Sequence, residues 1–399
     1  MVDTEQKGTN MSRTSRAEYL RAIWGRYQRV GRPFRSRILD AFCRVCGYAR
    51  KYAIRLLGRH RPRRRGRKGP RPRYGDDVRL VLKRVWLASD QLCSKRLQAA
   101  LPIWLPHYER RYGPLVAELR HQVLAVSPAT IDRLLQPVRA RCGRRGLCGT
   151  RPGSLLTHLV PIQTDHTAAT GPGFLEADTV AHCGRTLAGS FVWSLTFTDL
   201  FSQWTENRAV WNKGATEVVQ QIREIEVQLP FAILGFDVDN GSEFLNYHLW
   251  RYWAQRPAPV RFSRSRPYKK NDQAHVEQKN WTHVRELLGY QRIERRDLIP
   301  AINALYRTWS LYHNYFRPNF KLLKKTRRGS RIRKIYRPPQ TPYAVLLGSP
   351  QLAQDQKARL AQTFQHLDPF ALKEELEIQL RNLFDQLRAG NLIDESTKA

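Results

Sequence analysis

Three short stretches constrain what this chain can fold into. Phe174-Leu-Glu-Ala-Asp178 and Phe231-Ala-Ile-Leu-Gly-Phe-Asp237-Val-Asp239 are apolar runs of strand length that end on carboxylates. Asp is among the residues most depleted in strands, so packing alone does not put it there. The third stretch, Lys270-Asn-Asp-Gln-Ala-His-Val-Glu277, opens on Asn271-Asp272, a helix start, and sets Glu277 about two turns in. Three carboxylates gathered from separate elements repel one another unless a cation lies between them. The simplest answer is a pair of Mg²⁺ ions, with Mn²⁺ as a substitute, because these take oxygen ligands and act on phosphates.

In order and spacing, Asp178, Asp239-Asn-Gly-Ser-Glu-Phe244 and Glu277 resemble the DDE catalytic core of retroviral integrases and bacterial insertion-sequence transposases. The Asp-Asn-Gly-x-x-Phe signature is the most specific piece, and the 37 residues between Asp239 and Glu277 are close to the usual separation. The resemblance implies an RNase H-like α/β core in which Asp178, Asp239 and Glu277 are the catalytic acids and metal ligands. It also implies an activity: a transposase that binds element ends, cuts to free a 3′-OH and joins that hydroxyl to target DNA by transesterification. Such an enzyme is expected to act as a homo-oligomer assembled on double-stranded DNA. Two departures stand out. Asn271-Asp272 replaces the family's frequent Asn-Gly, and Asp237 competes with Asp239, which is favoured because Asn-Gly follows it. The alternatives are an RNase H-like nuclease without strand transfer and a non-catalytic DNA-binding regulator.

The charge agrees with a nucleic-acid partner. Sixty-nine Lys and Arg against 34 Asp and Glu give a net +35, far beyond what solubility needs. No apolar run approaches the roughly 18 residues of a membrane span and no signal pattern opens the chain. The expectation is therefore a cytoplasmic, nucleoid-associated protein with no membrane partner. Six cysteines do not form a small disulfide framework. Cys43-x-x-Cys46 lies in a helical pattern without a following His at finger spacing, so a structural role is preferred to zinc.

Along the chain, residues 1–58 are expected to form a helix-turn-helix DNA-binding domain. Its helices run from about Ser15, from Pro33 to Cys46 and, after Gly47, from Tyr48 to Leu57. Tyr48, Arg50, Lys51 and Arg55 are its DNA-facing candidates, with Ile54 and Leu57 turned inward. A basic linker follows at 59–75, where Arg65-Gly-Arg67 resembles an AT-hook, although simple phosphate tracking serves as well. Residues 76–140 read as a second helical DNA-binding domain, in which Ser127-Pro128 opens a helix carrying Thr130 and Arg133. A linker at 141–173 leads to the catalytic domain at 174–316, where the pattern is three strands, helix, strand, helix, strand, helix. Tyr268, Lys269 and Lys270 precede Glu277 and are placed to guide a DNA end. Asp199 is a turn residue or an accessory acid. A basic β-rich module is expected at 317–348 and a helical tail at 349–399. The tail's Leu372, Leu376, Leu380, Leu383 and Leu387 either pair subunits or dock on their own chain, and Gly390 is expected to end the helix. The fold class is thus multidomain: N-terminal all-α helix-turn-helix modules, a central α/β RNase H-like integrase core, a basic C-terminal module and a helical tail.

Overall fold

The computed structural model describes residues 11–58, 73–141, 170–212, 214–238, 247–258, 260–264 and 274–396. The chain separates into two compact units, Met1–Arg73 and Tyr74–Ala399.

The first unit is built from α1 (Arg13–Arg29), α2 (Arg32–Cys46) and α3 (Arg50–Leu57). Ser12 caps α1 by accepting the Ser15 N–H, and Gly47, at φ +67°, ends α2 with its N–H on the Cys43 carbonyl. Leu39, Phe42, Cys46, Ala53 and Leu57 form the core, against which Tyr19, Leu20, Ile23, Tyr27 and Tyr48 pack. The phase of α3 differs from the expected one. Ala53 and Leu57, four apart, take the inner face, and Ile54 is 46% exposed. Tyr48 is half-buried rather than outward, because the turn at Gly47 lays its ring edge-on against Phe42 and Tyr52. Arg50 is tied internally to Asp40 and Ser36, whereas Lys51 and Arg55 are exposed.

The second unit opens with α4 (Asp76–Ala88), α5 (Ser94–Tyr112), α6 (Ala117–Ala125) and α7 (Pro128–Arg141). Helix α5 runs past the expected end at Leu101 despite Pro102 and Pro106. Both prolines lie on the exposed face, where water can take the two carbonyls their missing N–H groups leave open. A mixed sheet follows: β1 (Phe174–Ala181), β2 (Val192–Asp199), β3 (Thr205–Trp211), β4 (Gly235–Val238) and β5 (Arg261–Arg264). Its order is β3-β2-β1-β4-β5, antiparallel across the first three strands and parallel from β1 to β5. The parallel crossovers run through α8 (Ala215–Gln228) and α9 (Tyr247–Ala254). This mixed order with flanking helices fits an RNase H-like core. Strand β4 is shorter than the run Phe231–Phe236 predicts, since Phe231 and Ile233 are buried ahead of it as packing residues. Gly235 opens it because a Cβ there would lie 2.4 Å from the Phe174 ring, so only glycine lets β4 approach β1.

Beyond the sheet, α10 (Ala274–Lys279) passes into a π-helical turn, Asn280–Arg285, and then α11 (Glu286–Leu288). Helix α12 (Ile299–Phe316) covers β3, with Asn303 accepting the Ala209 N–H and Asn314 the Thr205 N–H. A hairpin, β6 (Leu322–Arg328) and β7 (Arg331–Tyr336), precedes α13 (Pro342–Leu347), α14 (Gln354–His366) and α15 (Pro369–Ser396).

The segment expected as a separate second DNA-binding domain shares one core with the sheet and the tail. Trp104 on α5 explains why: it is wholly buried, donates to the Phe316 carbonyl at 2.9 Å and meets Tyr312, Phe316 and Phe370 edge-on. Leu372, Leu376, Leu383 and Leu387 of α15 are buried in that core, so the tail docks on its own chain. Helix α15 also runs through Gly390 instead of ending there. A lone Gly costs a helix only about 1 kcal/mol, and no proline follows to stop it.

Candidate active site

Strand periodicity builds the site. Successive side chains on β1 alternate, so Glu176 and Asp178 share one face and Leu175 and Ala177 the other. Strand β4 runs parallel beside it in a register that aligns Glu176 with Asp237 and Ala177 with Val238. Asp178 is half-buried; Glu176 and Asp237 are buried. The Ser263 hydroxyl of β5 donates to Asp237 Oδ1 at 2.7 Å.

Helix α10 is fastened across this face at two points. The Val276 N–H donates to Glu176 Oε2 at 3.0 Å, and Asn280 Nδ2 donates to Asp178 Oδ2 at 2.6 Å. Asp178 Oδ1 accepts the Thr179 N–H at 2.7 Å. The two attachments match in length: residues i and i+2 of a strand stand about 6.7 Å apart along its axis, and i and i+4 of a helix about 6 Å. Val276 lies in the first turn of α10, where N–H groups have no partner within the helix, so a buried carboxylate is an apt acceptor there. Glu277 lies on α10 between these attachments, but its side chain is outside the described residues, as is Asp239. A π-turn begins at Asn280, a distortion frequent at functional sites.

Behind α10 is a buried polar layer. Lys279 Nζ reaches the Gln203 carbonyl at 3.4 Å; burial, with Arg96 and Arg317 nearby, lowers its pKa to about 7. The rings of His283 and His313 meet at a tilt, 4.1 Å between centroids, and burial holds both well below the usual histidine range. Asp90 accepts from Arg317 at 3.0 Å and Lys373 at 2.7 Å.

Asp199 acts as a turn residue. Its buried carboxylate accepts the Gly173 N–H at 2.9 Å and the Ser202 N–H and hydroxyl at 2.7 and 2.6 Å; burial nonetheless pushes its pKa up. Ser127 accepts the Thr130 N–H at 3.3 Å, and Arg133, exposed, donates to Thr130 Oγ1 at 3.0 Å. Arg65, Arg67, Tyr268, Lys269 and Lys270 lie outside the described residues. Among the described residues no group of three or more His, Cys, Asp or Glu could hold a metal, and Cys46 is buried in the first unit's core.

Sequence reading passed over Glu176 and Asn280. The signals were present: Glu176 lies two residues before Asp178 and shares its face, and Asn280 follows Val276 by one helical turn.

His182, just past β1, gives a pH-dependent expectation. Its Nε2 bonds the Ser194 hydroxyl at 2.8 Å, which in turn bonds the Tyr306 hydroxyl at 2.6 Å. Burial, with Arg285 nearby, lowers its pKa to about 3. Between that value and 6.5 the unfolded chain binds a proton that the folded chain does not. The stabilisation is thus full above 6.5 and fades as pH falls towards 3, by at most about 1.4 kcal/mol per pH unit. Denaturant titrations from pH 7 to 4 should show wild type losing more stability than His182→Asn, and parallel curves would refute this.

No protein-family model matches the chain. It is 41% identical over 339 residues to a protein of Sinorhizobium fredii (strain NBRC 101917 / NGR234) described as "Uncharacterized protein y4rM", covering 84% of this chain and 95% of that one. The chain belongs to the y4rM family. Among solved structures it is similar to the HTLV-2 integrase catalytic core domain in complex with magnesium (dimeric form): 14% identity, 37% of this chain, 91% of that chain, TM-score 0.28. It is similar also to the catalytic core domain of BIV integrase: 16% identity, 45% of this chain, 96% of that chain, TM-score 0.29. These likenesses are too slight to carry weight, and the fold of this y4rM-family chain rests on its strand order. No helix among the described residues is long and apolar enough to cross a membrane.

Proposed function

We propose that this chain is a DDE transposase, which cuts insertion-sequence ends to free a 3′-OH and joins that hydroxyl to target DNA. Asp178, Asp239 and Glu277 are its catalytic acids. The observation that carries the reading is the fastening of α10 across β1, which brings the helix of Glu277 over the face of Asp178. Val238, which precedes Asp239, is in register with Ala177, which precedes Asp178. Asp237 is engaged with Ser263, which favours Asp239 as the second acid.

The donor set is carboxylate oxygen only, and Asp178 is partly open to solvent. That chemistry fits Mg²⁺ or Mn²⁺, held by Asp178, Asp239 and Glu277. When bound, such a pair of ions supplies Lewis acidity at the phosphate and lowers the pKa of the attacking water or hydroxyl. The protein's own part is placement. Asn280 orients the Asp178 carboxylate, and Glu176 fixes the start of the helix that carries Glu277. Lys51 and Arg55 on α3, and Thr130 and Arg133 on α7, are proposed DNA contacts, together with Arg65, Arg67, Tyr268, Lys269 and Lys270. Arg50, tied to Asp40, and half-buried Tyr48 serve the fold of their unit first. Two ends must be joined together, so the working form is a homo-oligomer on DNA, in the nucleoid.

The test uses labelled ends taken from the DNA flanking the gene, with Mg²⁺ or Mn²⁺, and compares wild type with Asp239→Asn. Metal-dependent nicking and joined products, both lost in the variant while binding persists, are expected. Cutting without joining would leave a nuclease, and tight binding with no chemistry in either protein would leave a DNA-binding regulator.

A further inference from the structure

The β6–β7 hairpin is the one sheet among the described residues that covers no core. Every residue from Ile332 to Tyr336 on β7 is exposed, and on β6 Leu323 and Lys324 are exposed too. An isolated two-stranded ribbon is marginal in water even when one face is apolar, and here neither face is. The register places Lys324 opposite Ile335 and Arg327 opposite Ile332, so each isoleucine shares its face with a cation. Lys325 stands opposite Lys334, and Arg328 opposite Arg331. Like charges directly opposite destabilise a sheet pair. No Asp or Glu occurs in the sequence from residue 298 to 354. Among the described residues, no carboxylate pairs with Lys324, Arg333 or Lys334.

The ribbon's base, by contrast, is firmly seated. The Asn319 N–H bonds the Gln340 carbonyl and the Arg337 N–H the Lys321 carbonyl, each at 2.8 Å. Phe320 and Tyr336 meet edge-on, and Lys321 Nζ donates to the Phe201 carbonyl at 3.1 Å. Phe201 belongs to the β2–β3 turn that Asp199 holds through Ser202, and Lys279, two residues past Glu277, reaches Gln203 in that same turn. The ribbon and the helix of Glu277 are therefore mounted on one anchor.

A structure that pays for its own charge repulsion and is held rigidly at one end is built for a polyanion. We propose that the β6–β7 ribbon is an arm that grips the phosphate backbone of duplex DNA, independently of sequence, and presents it to the acidic site. A ribbon two strands wide and roughly 20 Å long is of a size to lie in or along the major groove, about 12 Å wide. An anionic membrane fits less well, because a surface-seeking element needs one continuous apolar face and this ribbon has none. The assignment of DNA as partner rests on the proposed function; the arm itself can fail or stand separately.

Full-length Arg333→Ala/Lys334→Ala is the informative variant, with Arg381→Ala/Arg388→Ala on α15 as a control of equal charge change. Binding to a short random-sequence duplex is followed by fluorescence anisotropy across a salt series. The arm predicts at least tenfold weaker binding near 0.1 M salt and a log–log salt slope shallower by about two, against little change in the control. Arg333→Lys/Lys334→Arg should bind as wild type does. Unchanged affinity and slope, or equal losses in variant and control, overturn the proposal. So does a variant that loses binding to phosphatidylglycerol vesicles while keeping its grip on DNA. Absence of metal-dependent cleavage by the wild type, with the predicted binding changes present in the variant, would sink the enzyme and leave the arm.

Discussion

Asp178→Asn should reduce single-turnover cleavage of a verified end about 10³-fold or more, with DNA binding preserved. The substitution removes one negative charge and little volume. Asn280 Nδ2 can still donate to the one remaining side-chain oxygen, so the β1–α10 contact survives, while the amide nitrogen in place of Oδ1 no longer accepts the Thr179 N–H. What is lost is an anionic ligand where charge on the phosphate must be stabilised, and contributions of that kind are worth several kcal/mol of barrier. Binding should tighten slightly, because a carboxylate facing phosphates is gone. Rates within tenfold of wild type at equal folding would remove Asp178 from the catalytic set.

The core was legible because its signals are local. The apolar run of β1, the turn chemistry after Asp239 and the periodicity of α8 each need only a few neighbours, and together they give the succession of strands and helices as far as β5; that β1 lies beside β4 is not a local signal. What was not legible is who packs with whom. Trp104 looks like any helix aromatic until Phe316 and Phe370, more than 200 residues on, close around it. For the same reason residues 76–140 read as a separate module, and the leucines of α15 could have served a subunit contact equally well. The phase error at Tyr48 and Ile54 is of a different kind. A turn through Gly47 resets where α3 begins, and in an eight-residue helix one position moves every side chain by about 100°. Glu176 was passed over because a strand acid so near a more conspicuous one draws no separate reading. Its burial, and the helix N–H it satisfies, exist only once α10 arrives from a hundred residues away.

That dependence can be tested through the two attachments themselves. Asn280→Ala should lower kcat about 10- to 100-fold, the range seen when a group that orients a metal ligand is removed, with KM for DNA nearly unchanged. Asn280 bonds Asp178, so the loss is expected in the chemical step. Glu176→Ala should act through α10 instead. It leaves the Val276 N–H buried without its carboxylate acceptor, at a cost of about 1–3 kcal/mol, and loosens the helix end next to Glu277. Glu176→Gln keeps an oxygen in the same place and should recover most of both stability and rate. A purely structural role for Glu176 would show as a fall in Tm with kcat intact once the protein is folded. A positioning role shows as reduced kcat at full folding, rescued by Gln and not by Leu of similar size. If Glu176→Ala and Asn280→Ala both turn over at the wild-type rate, the α10 fastening is scaffold, and Glu277 must be placed by something else.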